Sequence, residues 1–224
     1  MSAKIIAITQ PLIEDSEHLG YLSVEEFLAY VARVSNPSNQ NNTLTAPKLL
    51  KYLIKNKHWS PFEMVNIVME ISTTRDIGRQ ILRHRSFSFQ EFSQRYADPT
   101  KRENAFERKE ARLQDSKNRQ NSIETDNEEL KNEWEFWQND IIYRAKKVCE
   151  WAINEGIAKE QARAVLPEGL TLTKLYMQGS LRSWIHYCQL RMTEGTQKEH
   201  RKIAIECWNN VLEYFPTLKD LIIE

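Results

Sequence analysis

The sequence predicts an α+β fold, a small sheet packed among several helices, and three observations carry that prediction. Val65, Ile67, Met69 and Ile71 alternate strictly over residues 64–71, the pattern of a half-buried strand. Two further segments, 4–9 and 171–178, also have strand character. Apolar residues recur at helical spacing through 24–34, 45–54, 130–152 and 196–215.

In chain order, Lys4-Ile5-Ile6-Ala7-Ile8-Thr9 is a short apolar run stopped by Pro11, which predicts a buried strand. Ser23-Val24-Glu25-Glu26 is a capping box, and the helix it opens runs to Asn36-Pro37. Thr45-Ala46-Pro47 opens a second helix that buries Leu49, Leu50, Leu53 and Ile54. His58-Trp59-Ser60-Pro61 punctuates the chain before the 64–71 strand. Ser72-Thr73-Thr74-Arg75-Asp76 then offers a capping hydroxyl with a carboxylate three residues after Thr73, so a helix is expected from there towards Arg83.

Residues 101–129 are dense in charge and predict solvated surface. Asp126-Asn127-Glu128-Glu129 reads as another capping box, for a helix carrying Leu130, Trp134, Trp137, Ile141, Ala145, Val148 and Ala152 to Gly156. Its two tryptophans are read as core or subunit interface. A short helix with Arg163 stops at Pro167. After the 171–178 strand, Gly179-Ser180 is expected to turn the chain into a helix bearing Arg182, Trp184, His186 and Arg191. Thr196-Gln197-Lys198-Glu199 is a fourth capping box, and Pro216 ends the last helix.

At 224 residues the chain can bury a full core as one domain, 1–224, interrupted by the polar segment at about 100–130. Lys+Arg and Asp+Glu are both 31, so no global field draws it to nucleic acid or to an anionic membrane. Cys149, Cys188 and Cys207 lack metal-ligand spacing and are odd in number, which suits reduced thiols in a cytoplasmic protein. No signal-peptide pattern or bilayer-length apolar run appears. Gly-rich phosphate loops, Cys-x-x-Cys pairs and His-Glu-x-x-His zinc helices are all missing, and no metal is expected.

The stretch with most chemistry is Gln80-Ile81-Leu82-Arg83-His84-Arg85-Ser86-Phe87-Ser88-Phe89-Gln90-Glu91-Phe92-Ser93-Gln94-Arg95-Tyr96. It holds more hydrogen-bonding capacity than a core segment can satisfy. Gln80 and Arg83, three apart on a helix, can reach one ligand together. Past Arg85 the helical period is lost, and a polar loop or short strand would project Glu91, Ser93 and Arg95 to one side. Guanidinium groups are planar donor forks suited to phosphate and carboxylate. On a neutral protein such a cluster favours a discrete small anion. Taken singly, each arginine is read as a surface charge, His84 as structural, and Phe87 and Phe89 as core.

This arrangement resembles the flavin-dependent thymidylate synthases. Arg83-His84-Arg85 is followed after seven residues by Ser93, with Glu91 and Arg95 flanking it at two residues either side. His58-Trp59-Ser60-Pro61-Phe62-Glu63 matches an upstream family element. Residues 162–167 and 182–191 match downstream ones. The resemblance implies reductive methylation of dUMP to dTMP, with methylenetetrahydrofolate as carbon donor and NADPH, through bound FAD, as reductant. It implies no enzyme cysteine nucleophile. Arg191 would be the catalytic arginine that stabilises negative charge on the pyrimidine.

The resemblance further implies that FAD is held by Ser60, Arg83, His84, Arg85, Glu91, Ser180, Leu181, Arg182 and His186. It places dUMP on Gln80, Ile81, Leu82, Arg83, Glu91, Phe92, Ser93, Gln94, Arg95, Arg163 and Arg191. Ser93 is expected to donate a hydrogen bond rather than attack, since no activating base pair accompanies it. The family assembles as a homotetramer with sites between subunits, so isolated monomers are expected to be inactive. Departures are Gln94 where a small residue is frequent, and Gly195 four residues after Arg191 where a histidine is frequent. Two other classes fit less of the sequence: a dUMP-binding regulator without turnover, and an RNA-binding module, which the neutral charge disfavours.

Overall fold

The computed structural model describes residues 1–14, 20–102 and 104–221. Its elements are β1 (Ser2–Ile8), α1 (Val24–Ala32), α2 (Ala46–Lys55), β2 (Asn66–Thr74), α3 (Arg75–Ile81), β3 (Ser88–Glu91), β4 (Arg112–Gln114), β5 (Ser122–Glu124), α4 (Glu128–Asn154), α5 (Lys159–Ala162), β6 (Leu172–Ser180), α6 (Leu181–Arg191) and α7 (Lys198–Tyr214). A 3-10 turn over Ser60–Glu63 joins α2 to β2, and another, Arg163–Val165, follows α5. The expected α+β architecture is the one observed.

The main sheet has the order β1-β2-β6-β3, with every neighbouring pair antiparallel. Alternation decides its faces. Ile67, Met69 and Ile71 of β2, and Leu175 and Met177 of β6, are fully buried. They share a core with Phe62, Trp184, Ile185, Ile203, Cys207, Trp208 and Val211. The opposite face is polar: Glu70 pairs with Lys4 and Lys174, each at 3.2 Å. A sheet covered on one face only is a normal antiparallel solution.

Two expected boundaries are refined, for the same reason. The helix does start at this stretch, but its cap is Thr74, one residue after Thr73 and without a side-chain bond, and Ser72, Thr73 and Thr74 also form the end of β2, because β6 supplies ladder partners down to Thr74↔Leu172. Arg75 N then donates to Thr171 O, so the neighbouring strand does the work expected of a capping hydroxyl. Likewise Gly179 and Ser180 remain in β6, paired with Ile67 and Asn66, and make no turn. Ser180 still caps α6, its Oγ accepting from Ser183 N.

The capping box at Ser23 is present as read. The box at 126–129 shifts by one residue, with Asn127 as the cap of α4. At α7 the cap residue is Gln197, whose side chain accepts from no backbone amide of the first turn, and the Thr196 hydroxyl faces Leu190 O instead. Gly156 ends α4 region with φ +82°, a conformation open to glycine at little cost.

The charged 101–129 segment, in which Glu103 lies outside the described residues, contains a hairpin that its polarity hid. β4 and β5 pair there, with Leu113 and Ile123 about half exposed. On α4 the expected apolar stripe splits. Ala145 and Ala152 are buried with Cys149, while Leu130, Trp134, Trp137, Ile141 and Val148 face outwards.

Candidate active site

Two close contacts place the Arg/His-rich stretch. Gly78 brings α3 against β6, where a Cβ would meet Thr173 Cγ2 at 3.3 Å. Phe87 lies over Gly179, where a Cβ would meet its ring at 2.4 Å. The same ring packs edge-on to Trp184 with centroids 4.9 Å apart. Phe87 therefore clamps the loop between α3 and β3 onto the core, leaving its polar residues to face outwards.

One group of side chains forms where α3 ends beside α6 and α7. Arg191 Nε donates to His84 Nε2 at 2.9 Å. Its other guanidinium nitrogens make no hydrogen bond among the described residues. Burial, aided by the Arg191 charge, lowers the His84 pKa to about 4, so the imidazole is neutral and can accept that bond. The His84 ring is also edge-on to Tyr187 at 4.9 Å. Gln80 lies alongside, its Oε1 3.2 Å from His200 Nδ1 and its Nε2 2.8 Å from Gln197 Oε1. Tyr187 OH is 3.1 Å from His200 Nε2. Arg83 and Arg85, both exposed, have no side-chain partner among the described residues.

A second group lies on another face of α3 and is built on ion pairs. Glu91 accepts from Thr173 Oγ1 at 2.9 Å and faces Arg75 at 3.6 Å and Arg79 at 3.8 Å. Arg79 also pairs with Glu168, and Arg95 with Glu160, each at 3.0 Å. Arg163 Nε donates to Glu160 O. Ser93 Oγ accepts from Arg95 N. Arg75, Arg79, Gln94 and Arg163 line a cavity of about 350 Å³ with Glu160 and Glu168. Gln94 is buried there, and its Nε2 has no partner among the described residues. Phe92 carries Arg102 over its ring at 4.7 Å.

A third group surrounds the start of α6. Arg182 pairs with Glu63 at 2.9 Å, and His186 sits edge-on to Trp59 at 4.8 Å. Ser60 is exposed at the head of its turn, and His58 lies apart, edge-on to Tyr52. Ser183 Oγ donates to Ser86 O at 3.5 Å, linking this group to the Arg/His loop.

Residues 19–217 match the family model described as thymidylate synthase complementing protein. A probable flavin-dependent thymidylate synthase of Paramecium bursaria Chlorella virus 1 is 46% identical over 218 residues, covering 97% of each chain. The chain belongs to the flavin-dependent thymidylate synthase family. A flavin-dependent thymidylate synthase of Synechocystis sp. is 47% identical, again over 97% of both chains. Among solved structures, a UMP/dUMP methylase, PolB, from Streptomyces cacaoi, bound with 5-Br dUMP, superposes with a TM-score of 0.79 at 21% identity. That likeness spans 96% of this chain and 91% of the other and shows a shared fold.

As a flavin-dependent thymidylate synthase, the chain is an enzyme of the methyltransferase class. Its expected contact residues fall into the three groups above, and no hydrogen bond or ion pair among the described residues joins the first group to the second. Gln80, Arg83, His84, Arg85 and Arg191 are in the first. Glu91, Phe92, Ser93, Gln94, Arg95 and Arg163 are in or beside the second. Ser60, Ser180, Leu181, Arg182 and His186 are in the third. Ile81 and Leu181 are fully buried, so only their backbone can face a ligand, and Leu82 is half-buried. The anticipated projection of Glu91, Ser93 and Arg95 to one side of a strand does not occur, because β3 ends at Glu91 and the chain turns at Ser93.

Sequence reasoning missed Arg75, Arg79, Tyr187, Gln197, Glu199 and His200. Arg75, Arg79 and Arg83 recur every four residues, a signal present in the sequence. Nothing local marks His200, which the packing of α7 brings to Gln80.

Proposed function

We propose that the chain methylates dUMP reductively to dTMP, taking carbon from methylenetetrahydrofolate and reducing equivalents from NADPH through bound FAD. The observation that carries this reading is Arg191, held through Nε by a neutral imidazole with its terminal nitrogens uncommitted. Carbon transfer to uracil C5 needs an electron-rich ring. A fixed guanidinium supports negative charge on that ring without reorganising as the charge develops. His84 has to stay neutral for this, since an imidazolium beside Arg191 would repel it and could not accept its N–H.

Burial raises the pKa of Cys149, Cys188 and Cys207 alike, which supports a reaction without a cysteine nucleophile. The residues present fit FAD: Arg83 and Arg85 are two exposed guanidiniums without side-chain partners among the described residues, matched to a diphosphate, and Ser183, next to Arg182 in sequence, donates to Ser86 O of the same loop. FAD, when bound, would supply hydride-transfer chemistry between NADPH and the methylene carbon. Arg95, Arg163 and the unpartnered Gln94 amide suit the phosphate of dUMP.

The same reading takes residues 1–224 as one domain and the protein as a cytoplasmic homotetramer with neither membrane nor nucleic acid as partner. Supporting the assembly, Leu130, Trp134, Trp137, Ile141 and Val148 form a stripe on α4 that is exposed on one protomer, and contiguous exposed apolar surface marks interaction sites. The separation of the first two site groups on one protomer points the same way. Among the described residues no helix is long and apolar enough to cross a membrane.

The test is an anaerobic absorbance titration with FAD, then dUMP, then NADPH. Flavin retention, a band shift with dUMP and bleaching with NADPH are expected, followed by dTMP once methylenetetrahydrofolate is added. Failure to retain flavin at any concentration would refute the cofactor assignment and favour a nucleotide-binding protein without turnover.

A further inference from the structure

A chain of hydrogen bonds leads from the β4–β5 hairpin to Gln80, and it starts at a charge. Arg112 NH2 donates to Glu199 Oε1 at 2.5 Å. Burial opposes ionisation of Glu199, yet hydrogen bonds from Arg112, its own backbone amide and Gln197 together outweigh it and hold the carboxyl below the ordinary range. An ionised carboxylate only accepts, so the Gln197 atom 3.0 Å from Glu199 Oε2 has to be its Nε2 amide. Gln197 Oε1 then faces Gln80 and requires a donor, which is Gln80 Nε2 at 2.8 Å. That leaves Gln80 Oε1 towards His200, where it requires the proton on Nδ1. His200 Nε2 is then the acceptor for Tyr187 OH. Flipping Gln197 would set its oxygen against the Glu199 carboxylate, and flipping Gln80 would set its oxygen against Gln197 Oε1.

We propose that His200, acting with Gln197 and Glu199, is a positioning residue that fixes the Gln80 amide in a single orientation, so that a defined acceptor and a defined donor of Gln80 meet dUMP. The inference rests on the dUMP reading above. Each end of the amide is half used: one lone pair of Oε1 goes to His200 and one hydrogen of Nε2 to Gln197, which leaves one of each for the nucleotide. Once the His200 bond is lost, an amide that favours the reverse orientation about tenfold meets the same ligand groups with like against like and binds them about tenfold more weakly. His200 touches no ligand in this account. Its buried ring, with an exposure of 0%, acts only through Gln80.

The test compares the assembled wild-type enzyme with His200→Asn, which can keep a donor on the Nδ1 side, and His200→Gln, which cannot. Losing the bond to Gln80 is expected to raise the KM for dUMP about tenfold in His200→Gln, the size of one hydrogen bond left unmade, with His200→Asn within about threefold of wild type. Saturated kcat and FAD affinity are expected to stay near wild type in both. A ring that merely filled space would show no advantage for Asn, so equal KM values in the two variants overturn the proposal. Should His200→Gln not fold, Gln197→Ala, at an exposed position, is expected to raise the KM similarly, and an unchanged KM there overturns it too.

Independently of activity, ¹⁵N spectra of histidine-labelled protein, assigned by the loss of one of the five histidines in His200→Asn, report the tautomer. A protonated Nδ1 with an unprotonated Nε2 is expected, and the reverse overturns the proposal. If wild type binds no dUMP, the functional reading fails, while the tautomer still judges this inference alone.

Discussion

Arg191 is held by a neutral imidazole, whereas Arg75, Arg79 and Arg95 each face a carboxylate. The difference lies in what a ligand must displace. Arg191 is bonded to His84, whose ring lies against Tyr187 and His200, and His200 in turn bonds Gln80, all of them uncharged, so no ion pair among the described residues occupies its terminal N–H groups. Around Arg95 an incoming phosphate has to exchange with Glu160, a pair exposed enough for water to screen. The first arrangement is preorganised and suits charge that develops during a reaction. The second suits an anion that arrives already charged and leaves again.

The largest effect is expected at Arg191. Arg191→Ala is predicted to lower kcat by about 10²–10³, the usual consequence of losing a preorganised donor. Steady-state dTMP formation measures this, with the flavin band retained as evidence of an intact fold. Full turnover in that variant would erase the distinction between the two groups.

Acid should separate the groups next. His84 and His200 have pKa values lowered to about 4 and about 3 from 6.5, first by burial and then by neighbouring positive groups. Between 6.5 and those values the unfolded chain binds protons that the folded one does not, so stability rises with pH in that window. This contribution is complete above about pH 6.5 and is lost as pH falls towards 4 and then 3, with a slope of up to about 1.4 kcal/mol per pH unit for each group. Urea unfolding from pH 7 to 4 checks the sign, and His200→Asn should reduce the slope. A pH-independent midpoint in both proteins would show that neither imidazole is held neutral by the fold.

Gly179→Ala probes the clamp behind the first group, since its Cβ would sit 2.4 Å from the Phe87 ring. Overpacking there is expected to cost about 1–3 kcal/mol and to loosen the Arg83–Arg85 loop, read as a lower Tm with weaker flavin retention. The smallest effect belongs to the second group. Glu160→Gln frees Arg95 from an exposed pair worth at most about 1 kcal/mol, so dUMP affinity should rise less than about fivefold and stability hardly change. A marked loss of affinity would mean that Glu160 orients Arg95 rather than competing for it.

Much of this was legible in the chain. Alternation at Val65–Ile71 fixed β2 to within a few residues, and Ser23 with Glu26 marked the start of α1. The spacing of Arg83, His84, Arg85 and Ser93 singled out the site. What failed depended on partners distant in sequence. Thr73 looks like the capping residue until β6 takes up its ladder and leaves the cap to Thr74, and Gly179 looks like a turn until Phe87 lies over it. The β4–β5 hairpin has three residues to a strand and a single apolar pair, Leu113 with Ile123, and carries little pattern to read. His200 joins the site only through the docking of α7. The tryptophans of α4 read from the sequence as core or subunit interface, and their exposure on the protomer excludes the first, a distinction that no local rule makes.

The most direct test mixes two inactive enzymes. Arg191→Ala and Arg95→Ala homo-oligomers are prepared separately, dissociated, mixed and reassembled, and dTMP formation is measured. If Arg191 of one copy and Arg95 of another serve one nucleotide, some mixed sites hold both wild-type arginines, and activity returns in the mixture alone. If the mixture stays as inactive as its parents while wild-type protein survives the same treatment, each site is built within one protomer, and the account of two groups meeting between copies is wrong.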